Sequence, residues 1–259
     1  ITSPKTLSFS VSSSGLRLIK VSARVKSEKQ RGKGETDDEE LIVTIDDKTF
    51  PKLGTKKALI NSPASFNGGE LHNNKKTIYF LLQLNKGEHT VKFEPQHGAE
   101  VGEVSHEPLT ITNNQIELTL NKQAEDRDRK PWITFVLVGN DIKSITAQID
   151  LQWRWFDGDD VQLIIDNEIQ QNPTSLFRKN WIYSARPIID LGGRMQTETF
   201  SIPSNSSKLH YIEFLADRMP ILKSVTLSID EEEIPDIKEY NHGPSGEDYN
   251  RFNKEIAEE

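Results

Sequence analysis

Apolar residues alternate with polar residues along most of the chain, and this pattern predicts short β-strands. In residues 39–47, "EELIVTIDD", the apolar side chains of Leu41, Val43 and Ile45 occupy every second position. Residues 76–84, "KTIYFLLQL", are apolar at nearly every position, which is typical of a strand with both faces covered. Because side chains on a strand alternate between its faces, many such short segments indicate a β-sandwich or jelly roll.

One predicted strand near the N-terminus contains a change of parity. Leu16 and Leu18 fall on one set of alternate positions, whereas Val21 and Ala23 fall on the other. We therefore expect an irregularity in this strand near Ile19. A later segment, "EPQHGAEVGEVSHEP", is rich in glycine and charged residues and is predicted to be a loop.

Four segments recur in the same order in the second half of the chain. The matches are 18–25 with 142–149, 39–47 with 159–167, 87–93 with 208–214, and Phe9 with Phe135. Their offsets are 124, 120, 121 and 126 residues, so the four matches agree to within short loop changes. Agreement of this kind predicts two copies of one domain.

The predicted fold class is therefore all-β, with two tandem jelly-roll β-sandwich domains related by an internal repeat of about 120 residues. We place the first domain at residues 1–112 and the second at residues 113–232. Residues 233–259 are predicted to be a short linker or helix, because Pro235 and "HGPSG" are typical of linkers. A linker in this place predicts a further domain beyond the C-terminus.

Composition excludes several classes of function. The net charge is −8, and its acidic and basic residues are interleaved, which disfavours a nucleic-acid partner. The sequence has no cysteine, so it has no disulfide, no thiolate metal site and no cysteine nucleophile. It has no apolar run near the ~18 residues of a membrane span. It also lacks the motifs of serine hydrolases, nucleotide-binding loops and dinucleotide-binding folds, so we expect a protein that is not an enzyme.

Acidic residues at one strand end are candidate ligands of a metal ion. Asp157, Asp159 and Asp160 cluster before an apolar run, and Glu39 and Glu40 lie at the matching place in the first copy. Carboxylate oxygens are the ligands that Ca²⁺ prefers, so structural calcium is one prediction. The alternative is that these acids only keep the strand end in water.

Two other acidic positions are predicted to serve turns. Asp46 and Asp166 each follow a strand and precede Asp or Asn, which are residues that tolerate tight-turn conformations. His89 and His210 recur at matching places on the inward side of a strand. We interpret both histidines as parts of the framework.

Aromatic rings supply the candidate ligand-binding site. Trp181 and Tyr183 follow basic residues in "LFRKNWIYSARP", a segment predicted to be a loop or a sheet edge. An exposed ring there can stack on the C–H face of a sugar, and the alternative is that the rings are core residues. The candidate ligand-binding residues are Trp181, Tyr183, Arg178, Asn180, Phe66 and Asn67.

The order of these motifs resembles a known family. "ARVKS…DDEELIVTIDD…FNGGEL…KTIYFLLQLNKGEHTVKFEP" resembles the galactose-binding-like jelly roll of carbohydrate-binding modules, and "DDVQLIIDNE…LHYIEFLADRMPILKSVTLSI" looks like the same pattern. The chain is also similar to tandem β domains that precede cell-wall hydrolases or peptidases in exported bacterial proteins. It departs from the family in the first copy, which has "DD" in place of Asp-Gly and no Trp near its Phe66.

This resemblance implies a noncatalytic protein that binds a glycan or a cell-wall polymer. It further implies an extracellular or cell-surface location and a role in positioning a neighbouring module. The alternative is a structural spacer or protein-interaction module with no small-molecule ligand. A third hypothesis is a hydrolase with a carboxylate pair that the sequence does not reveal.

Overall fold

Strands dominate the computed structural model of this chain. The structure describes residues 1–50, 56–139, 142–154, 157–172, 179–185, 193–204 and 208–229. Arg178 and the predicted linker at 233–259 lie outside these described residues. Within the described ranges, no helix is long and apolar enough to cross a membrane.

The first part of the chain holds seven strands and three short helices among its described residues. The strands are β1 (Lys5–Val11), β2 (Gly15–Arg24), β3 (Glu40–Ile45), β4 (Phe66–Asn67), β5 (Lys76–Leu84), β6 (Gly87–Gln96) and β7 (Glu100–Pro108). The helices are α1 (Glu28–Arg31), α2 (Lys56–Ile60) and α3 (Gly68–Leu71).

The described residues that follow form strands without a helix. They are β8 (Gln115–Gln123), β9 (Lys130–Val138), β10 (Ile142–Leu151), β11 (Trp153–Arg154), β12 (Asp157–Gly158), β13 (Asp160–Ile165), β14 (Glu168–Ile169), β15 (Tyr183–Ser184), β16 (Arg194–Ser201), β17 (Leu209–Asp217) and β18 (Ile221–Ile229).

Most of these strands form three sheets. The largest sheet has the order β14-β13-β17-β9-β5-β2-β7, with β15 paired to β13. A second sheet has the order β1-β6-β3-β4, and a third has the order β16-β10-β18-β8. Strands β11 and β12 form a small separate pair. The protein is therefore an all-β sandwich, as the sequence predicts.

The large sheet is covered on both faces. On β5, Tyr79 and Leu81 belong to the core cluster that includes β10 and β18, whereas Ile78 and Phe80 belong to the cluster that includes β3 and β6. All four side chains are at most 2% exposed. The nearly continuous apolar run in β5 follows from this double coverage, because neither face of the strand meets water.

Double coverage also explains an error in the sequence prediction. The predicted irregularity does not lie at Ile19: β2 pairs with β5 without a register shift from Gly15 to Ala23, and the shift in its pairing with β7 lies between Val21 and Ala23. Both parities of β2 are apolar because each parity packs against a different sheet. The predicted loop at residues 94–108 is also wrong, because this segment contains the end of β6 and the whole of β7.

A parallel contact joins the first part of the large sheet to the second. Strand β5 pairs with β9 in parallel, with the register running from Thr77 opposite Ile133 to Leu81 opposite Leu137. The other strand pairings of the described residues are antiparallel. One sheet therefore runs through both halves of the predicted tandem.

Both halves arrange their strands in the same order. In the first half the orders are β1-β6-β3 and β5-β2-β7, and in the second half they are β9-β17-β13 and β16-β10-β18. A gene duplication would produce such matched orders. The sequence repeat itself stays a prediction.

The predicted turn residue Asp46 holds a framework histidine. Asp46 and Asp47 have φ angles of 48° and 60°, so both adopt the left-handed conformation of a tight hairpin turn. One carboxylate oxygen of Asp46 accepts a hydrogen bond from Nδ1 of buried His89 at 2.6 Å, and the other accepts from the backbone N–H of Thr90 at 2.8 Å. His89 Nε2 donates to the carbonyl of Asn85 at 2.8 Å.

The same contact occurs in the second half. Asp166 and Asn167 have φ angles of 47° and 72°. The Asp166 carboxylate accepts from Nδ1 of buried His210 at 2.6 Å and from the backbone N–H of Tyr211 at 2.8 Å. We refer to these two arrangements as the Asp–His clasps, since each ties a turn to the neighbouring strand of its sheet.

The segment between β8 and β9 is anchored on the first half of the chain. Arg24 forms an ion pair with Glu125, whose carboxylate also accepts from the backbone N–H of Lys75 at 2.9 Å. Arg127 donates to the carbonyls of Pro131 at 2.8 Å and Lys75 at 3.0 Å. Burial lowers the pKa of the Arg127 guanidinium to about 10. These bonds fix the connector where the two halves meet.

The Asp–His clasp can be tested by a matched pair of glycine variants. Asp46→Gly keeps the positive φ angle but removes two charge-assisted hydrogen bonds, so we expect a loss of about 2–3 kcal/mol in the free energy of unfolding. Asp47→Gly makes the same backbone change next to it and should cost less than about 1 kcal/mol. Urea denaturation of both variants measures the difference, and equal losses would contradict a stabilising role for the clasp.

Candidate functional site

An open, polar cleft lies beside Trp181. Its volume is about 800 Å³. We call it the Trp181 cleft, and it is lined by Trp181, Asp126, Arg127, Asp128, Arg129, Asp157, Asp160, Asp217 and Arg218. One aromatic ring is thus surrounded by carboxylates and guanidinium groups.

Neighbouring strand ends bring these side chains together. Asp160 begins β13 and Asp217 ends β17, and the two residues lie directly opposite each other in the antiparallel pairing. Asp157 begins β12, and the residues from 126 to 129 belong to the connector between β8 and β9. Residues opposite each other in an antiparallel pair have side chains about 5 Å apart, so two aspartates meet at the floor of the cleft.

Arg218 balances part of this negative charge. Its Nε donates to Asp157 at 2.9 Å, and its Nη1 donates to Asp126 at 3.4 Å. These hydrogen bonds raise the pKa of the Arg218 guanidinium above its ordinary value. Burial, and then the nearby carboxylates of Asp157 and Asp128, raise the pKa of the Asp217 carboxyl. The cleft therefore places guanidinium donors beside carboxyl oxygens that accept hydrogen bonds.

Trp181 itself is half-buried and carries a cation above its ring. The guanidinium carbon of Arg129 lies 5.7 Å from the ring centroid. The Arg129 side chain is 68% exposed, so this contact is one that a ligand can displace at small cost. Cation–π contacts at exposed sites contribute about 0.5–1 kcal/mol.

Tyr183 does not share the cleft with Trp181. Its side chain is 0% exposed, lies in the core between β13 and β10, and donates its hydroxyl to the carbonyl of Ala147 at 3.2 Å. Burial raises the pKa of the Tyr183 hydroxyl. The prediction of Tyr183 as an exposed stacking ring is therefore wrong. Its place opposite Val161 in the short pairing of β15 with β13 points the ring inward.

The candidates in the first half are also framework residues. Phe66 is 0% exposed, and the Nζ of Lys76 lies 5.8 Å from its ring centroid. Asn67 is 7% exposed, and its side chain accepts a hydrogen bond from the backbone N–H of Gly69 at the start of α3. Neither residue is placed to bind a ligand from solvent, so this part of the site prediction is wrong. Asn180 is half-buried in a turn, and Arg178 lies outside the described residues.

The three predicted metal ligands have different contacts in the structure. Asp159 is 1% exposed and accepts from the backbone N–H groups of Gln152 at 2.8 Å and Met219 at 3.1 Å. Asp157 pairs with Arg218, while Asp160 lies in the floor of the Trp181 cleft. In the described part of the chain, no group of three His, Cys, Asp or Glu residues is arranged to hold a metal ion.

The matching acids of the first half also bond within the chain. The Glu39 carboxylate accepts from the backbone N–H of Lys26 at 2.8 Å. The neighbouring Glu40 is half-buried at the start of β3. Burial, and then the charge of Asp38, raise the pKa of the Glu40 carboxyl to about 7. This carboxyl is therefore partly protonated at neutral pH.

Sequence reasoning missed much of the cleft. It identified Trp181, Asp157 and Asp160, but it did not select Arg129, or the Asp217–Arg218 pair. The available signal was the mixture of Asp and Arg in "AEDRDRK" and again in "LADRM". The first segment leads into β9 and the second contains the end of β17, and these two strands pair there, with Lys130 opposite Ala216.

Comparisons with known proteins give no family. No protein-family model matches the sequence, and no curated protein matches it. The extracellular domain of ANXUR2 from Arabidopsis thaliana is 8% identical, with a TM-score of 0.29 over 91% of this chain and 85% of that chain. A structure of infectious bursal disease virus, Gx strain, is 10% identical, with a TM-score of 0.28 over 90% of this chain and 72% of that chain. TM-scores this low carry no argument.

The raised pKa of Glu40 predicts a pH-dependent stability. Because the folded protein holds this proton up to about pH 7 and the unfolded chain releases it near the ordinary value of 4.5, the contribution of Glu40 to stability falls as the pH rises between these values. Glu40→Gln mimics the protonated form. We expect it to stabilise the protein by about 1 kcal/mol at pH 8, a value reduced for the partial exposure of the group, and by nothing near pH 4.

The control for this prediction is Glu100→Gln, which removes the same charge at an exposed position of β7. Urea denaturation at both pH values gives the free energies of unfolding. A Glu40→Gln effect that does not change with pH, or that equals the effect of Glu100→Gln, would contradict the assignment.

Proposed function

We propose that this protein is a noncatalytic glycan-binding β-sandwich that uses the Trp181 cleft. The observation that carries the proposal is one half-exposed tryptophan ring beside five aspartates and three arginines in an open cleft. Sugars present C–H faces, which stack on aromatic rings, and hydroxyl groups, which both donate and accept hydrogen bonds. The cleft supplies a partner for each of these features.

The division of roles follows from the contacts. The Trp181 ring receives the sugar face after the exposed Arg129 guanidinium moves aside. The Asp217 carboxyl, which lines the cleft at the end of β17, accepts from hydroxyl groups of the sugar. Arg218 donates to hydroxyl oxygens or to a carboxylate of the polymer. One stacked ring and a few hydrogen bonds suffice for a micromolar to millimolar site, which needs about 4–8 kcal/mol.

The biological setting of this proposal is an extracellular or cell-surface protein. A glycan or cell-wall polymer would be its partner, and the two halves would hold a neighbouring module close to that polymer. The resemblance of the motif order to carbohydrate-binding jelly rolls supports this setting.

A structural spacer is the second candidate function, and one observation favours it. The parallel pairing of β5 with β9 makes one continuous sheet through both halves, so the halves cannot turn independently without breaking backbone hydrogen bonds. A rigid unit of this kind suits a spacer between other modules. The spacer needs no ligand in the Trp181 cleft.

Binding measurements on Trp181→Ala separate the two functions. We expect the wild type to bind immobilised cell-wall polysaccharides or arrayed glycans, and Trp181→Ala to bind about tenfold more weakly or not at all. The loss of stability should stay below the ~3–5 kcal/mol of a core tryptophan, because the ring is half-exposed. Met195→Ala, at a 46% exposed position on β16, is the matched control and should bind like the wild type.

A different outcome of the same measurements would contradict the glycan proposal. If the wild type binds no polysaccharide, and Trp181→Ala destabilises the fold as a core substitution does, the ring is structural. The glycan proposal then falls, and the spacer function is favoured.

A further inference from the structure

Strand β1 is an open edge of the sheet with the order β1-β6-β3-β4. Among the described residues, no strand pairs with its outer side. The strand has seven residues, and its single charged residue, Lys5, stands at its first position. An open edge exposes backbone N–H and C=O groups, which pair readily with a strand of another chain.

The other long edge strands of the described residues carry features that discourage such pairing. Strand β7 has three glutamates and ends at Pro108. Strands β8 and β16 each carry one acidic and one basic residue. Charged side chains and proline on an edge strand oppose the approach of another strand. From Thr6 to Val11, β1 has neither a charge nor a proline, so its edge is open to pairing.

The direction of the backbone groups in β1 follows from the neighbouring strand β6. Thr90 of β6 donates its backbone N–H to the Asp46 carboxylate at 2.8 Å, and its carbonyl accepts from the backbone N–H of Asp46 at 3.0 Å. Asp46 directly follows β3, so the backbone groups of Thr90 face β3. Those of the next residue, Val91, therefore face β1, where Leu7 lies opposite and exchanges hydrogen bonds with it.

Three residues of β1 consequently have backbone groups that point to the open side. Because these directions alternate along a strand, the N–H and C=O groups of Thr6, Ser8 and Ser10 point away from β6. The side chains of the same three residues are exposed on the outer face of the sheet. The open edge is thus a row of backbone donors and acceptors beside short hydroxyl side chains.

The inner face of the same strand is apolar and only partly covered. Leu7 and Phe9 are half-buried and pack against the core cluster of the first half. The Phe9 ring lies against the ring of His106 on β7, with the centroids 4.4 Å apart. The inward direction of both side chains is therefore fixed, and a strand added to the edge would cover their exposed parts.

We propose that β1 pairs with β1 of a second copy of this chain, antiparallel and centred on Ser8, to form a symmetric dimer. In this register Ser8 lies opposite Ser8 of the second copy, and Thr6 lies opposite Ser10. These are the residues whose backbone groups face the open side, so each of the three pairs exchanges two hydrogen bonds, roughly six in all.

The side chains match in the same register. Leu7 lies opposite Phe9 of the second copy at a position without backbone hydrogen bonds, where side chains approach most closely. Lys5 lies opposite Val11, so no like charges of the two β1 strands face each other. A strand that complements itself in this way favours a second copy of the chain as its partner. Two-fold symmetry uses both open edges and closes the assembly at two chains.

Substitution at Ser8 tests the pairing. The N–H of Ser8 faces solvent in the single chain, so Ser8→Pro leaves the fold intact but removes two hydrogen bonds of the dimer. We expect sedimentation velocity to show a wild-type dimer with a dissociation constant of about 10–100 µM, as for a small interface. Ser8→Pro should associate about a hundredfold more weakly.

Two further variants at the same position control for the change of side chain. Ser8→Thr keeps the N–H and the hydroxyl group, and it should dimerise like the wild type. Ser8→Lys leaves the backbone unchanged but places two ammonium groups opposite each other, so association should weaken about tenfold at low salt. Melting temperatures of all three variants check that the monomer is folded.

Amide hydrogen exchange locates the contact within the chain. When the protein concentration rises from about 5 to about 500 µM, the amides of Thr6, Ser8 and Ser10 should become protected. The amides of Leu7 and Phe9 are already bonded to β6, so their exchange should change little. This alternation distinguishes pairing through β1 from a dimer that uses another surface.

Several results would overturn the proposal. A wild type that stays monomeric up to about 500 µM is one of them. The others are a dimer that Ser8→Pro leaves intact, protection confined to amides outside β1, and an assembly of more than two chains. Trp181→Ala should dimerise like the wild type, because no residue of β1 lines the Trp181 cleft. The outcome is therefore independent of the glycan proposal.

Discussion

The parallel pairing of β5 with β9 is the contact on which the arrangement of the whole protein depends. It extends the sheet of the first half, β5-β2-β7, into the sheet of the second half, β9-β17-β13. A sheet of this width must bury both faces, and a four-stranded sheet packs on each side of it. The two halves thus share one central layer and form two overlapping sandwiches.

One Asp–His clasp fixes two strands of this central layer, β13 and β17, and the other fixes β3 and β6 in a sheet that covers it. Each clasp joins a tight turn to a strand that pairs next to it, so the register of the pairing and the conformation of the turn depend on the same carboxylate. The His89 ring is almost completely buried, and hydrogen bonds at both of its nitrogens avoid the cost of an unbonded imidazole nitrogen. The acids that follow β3 and β13 are therefore explained by their neighbours in the fold, without a ligand.

Sequence patterns predicted the parts of this structure that are local. Alternation located β3, β6 and β17, and the Asp-Asp and Asp-Asn pairs located two turns, because these features depend on adjacent residues. The parallel pairing of β5 with β9 depends on chain-distant strands, so no local pattern reveals it. Tyr183 was misplaced for a related reason: β15 has two residues, which is too short to show a period. Trp181, two residues earlier, carries no different local signal, yet only its ring reaches the cleft.

The connector from β8 to β9 links the Trp181 cleft to the central layer. Its last residues, including Arg129, form a wall of the Trp181 cleft. Earlier in the connector, Glu125 binds Arg24 and the backbone N–H of Lys75, and Arg127 binds the carbonyl of Lys75. Lys75 directly precedes β5. Because β5 also makes the parallel contact with β9, the anchors hold the connector against the joint between the halves. The geometry of the Trp181 cleft therefore depends on that joint, and a ligand in the cleft would contact a segment that the shared sheet already holds in place.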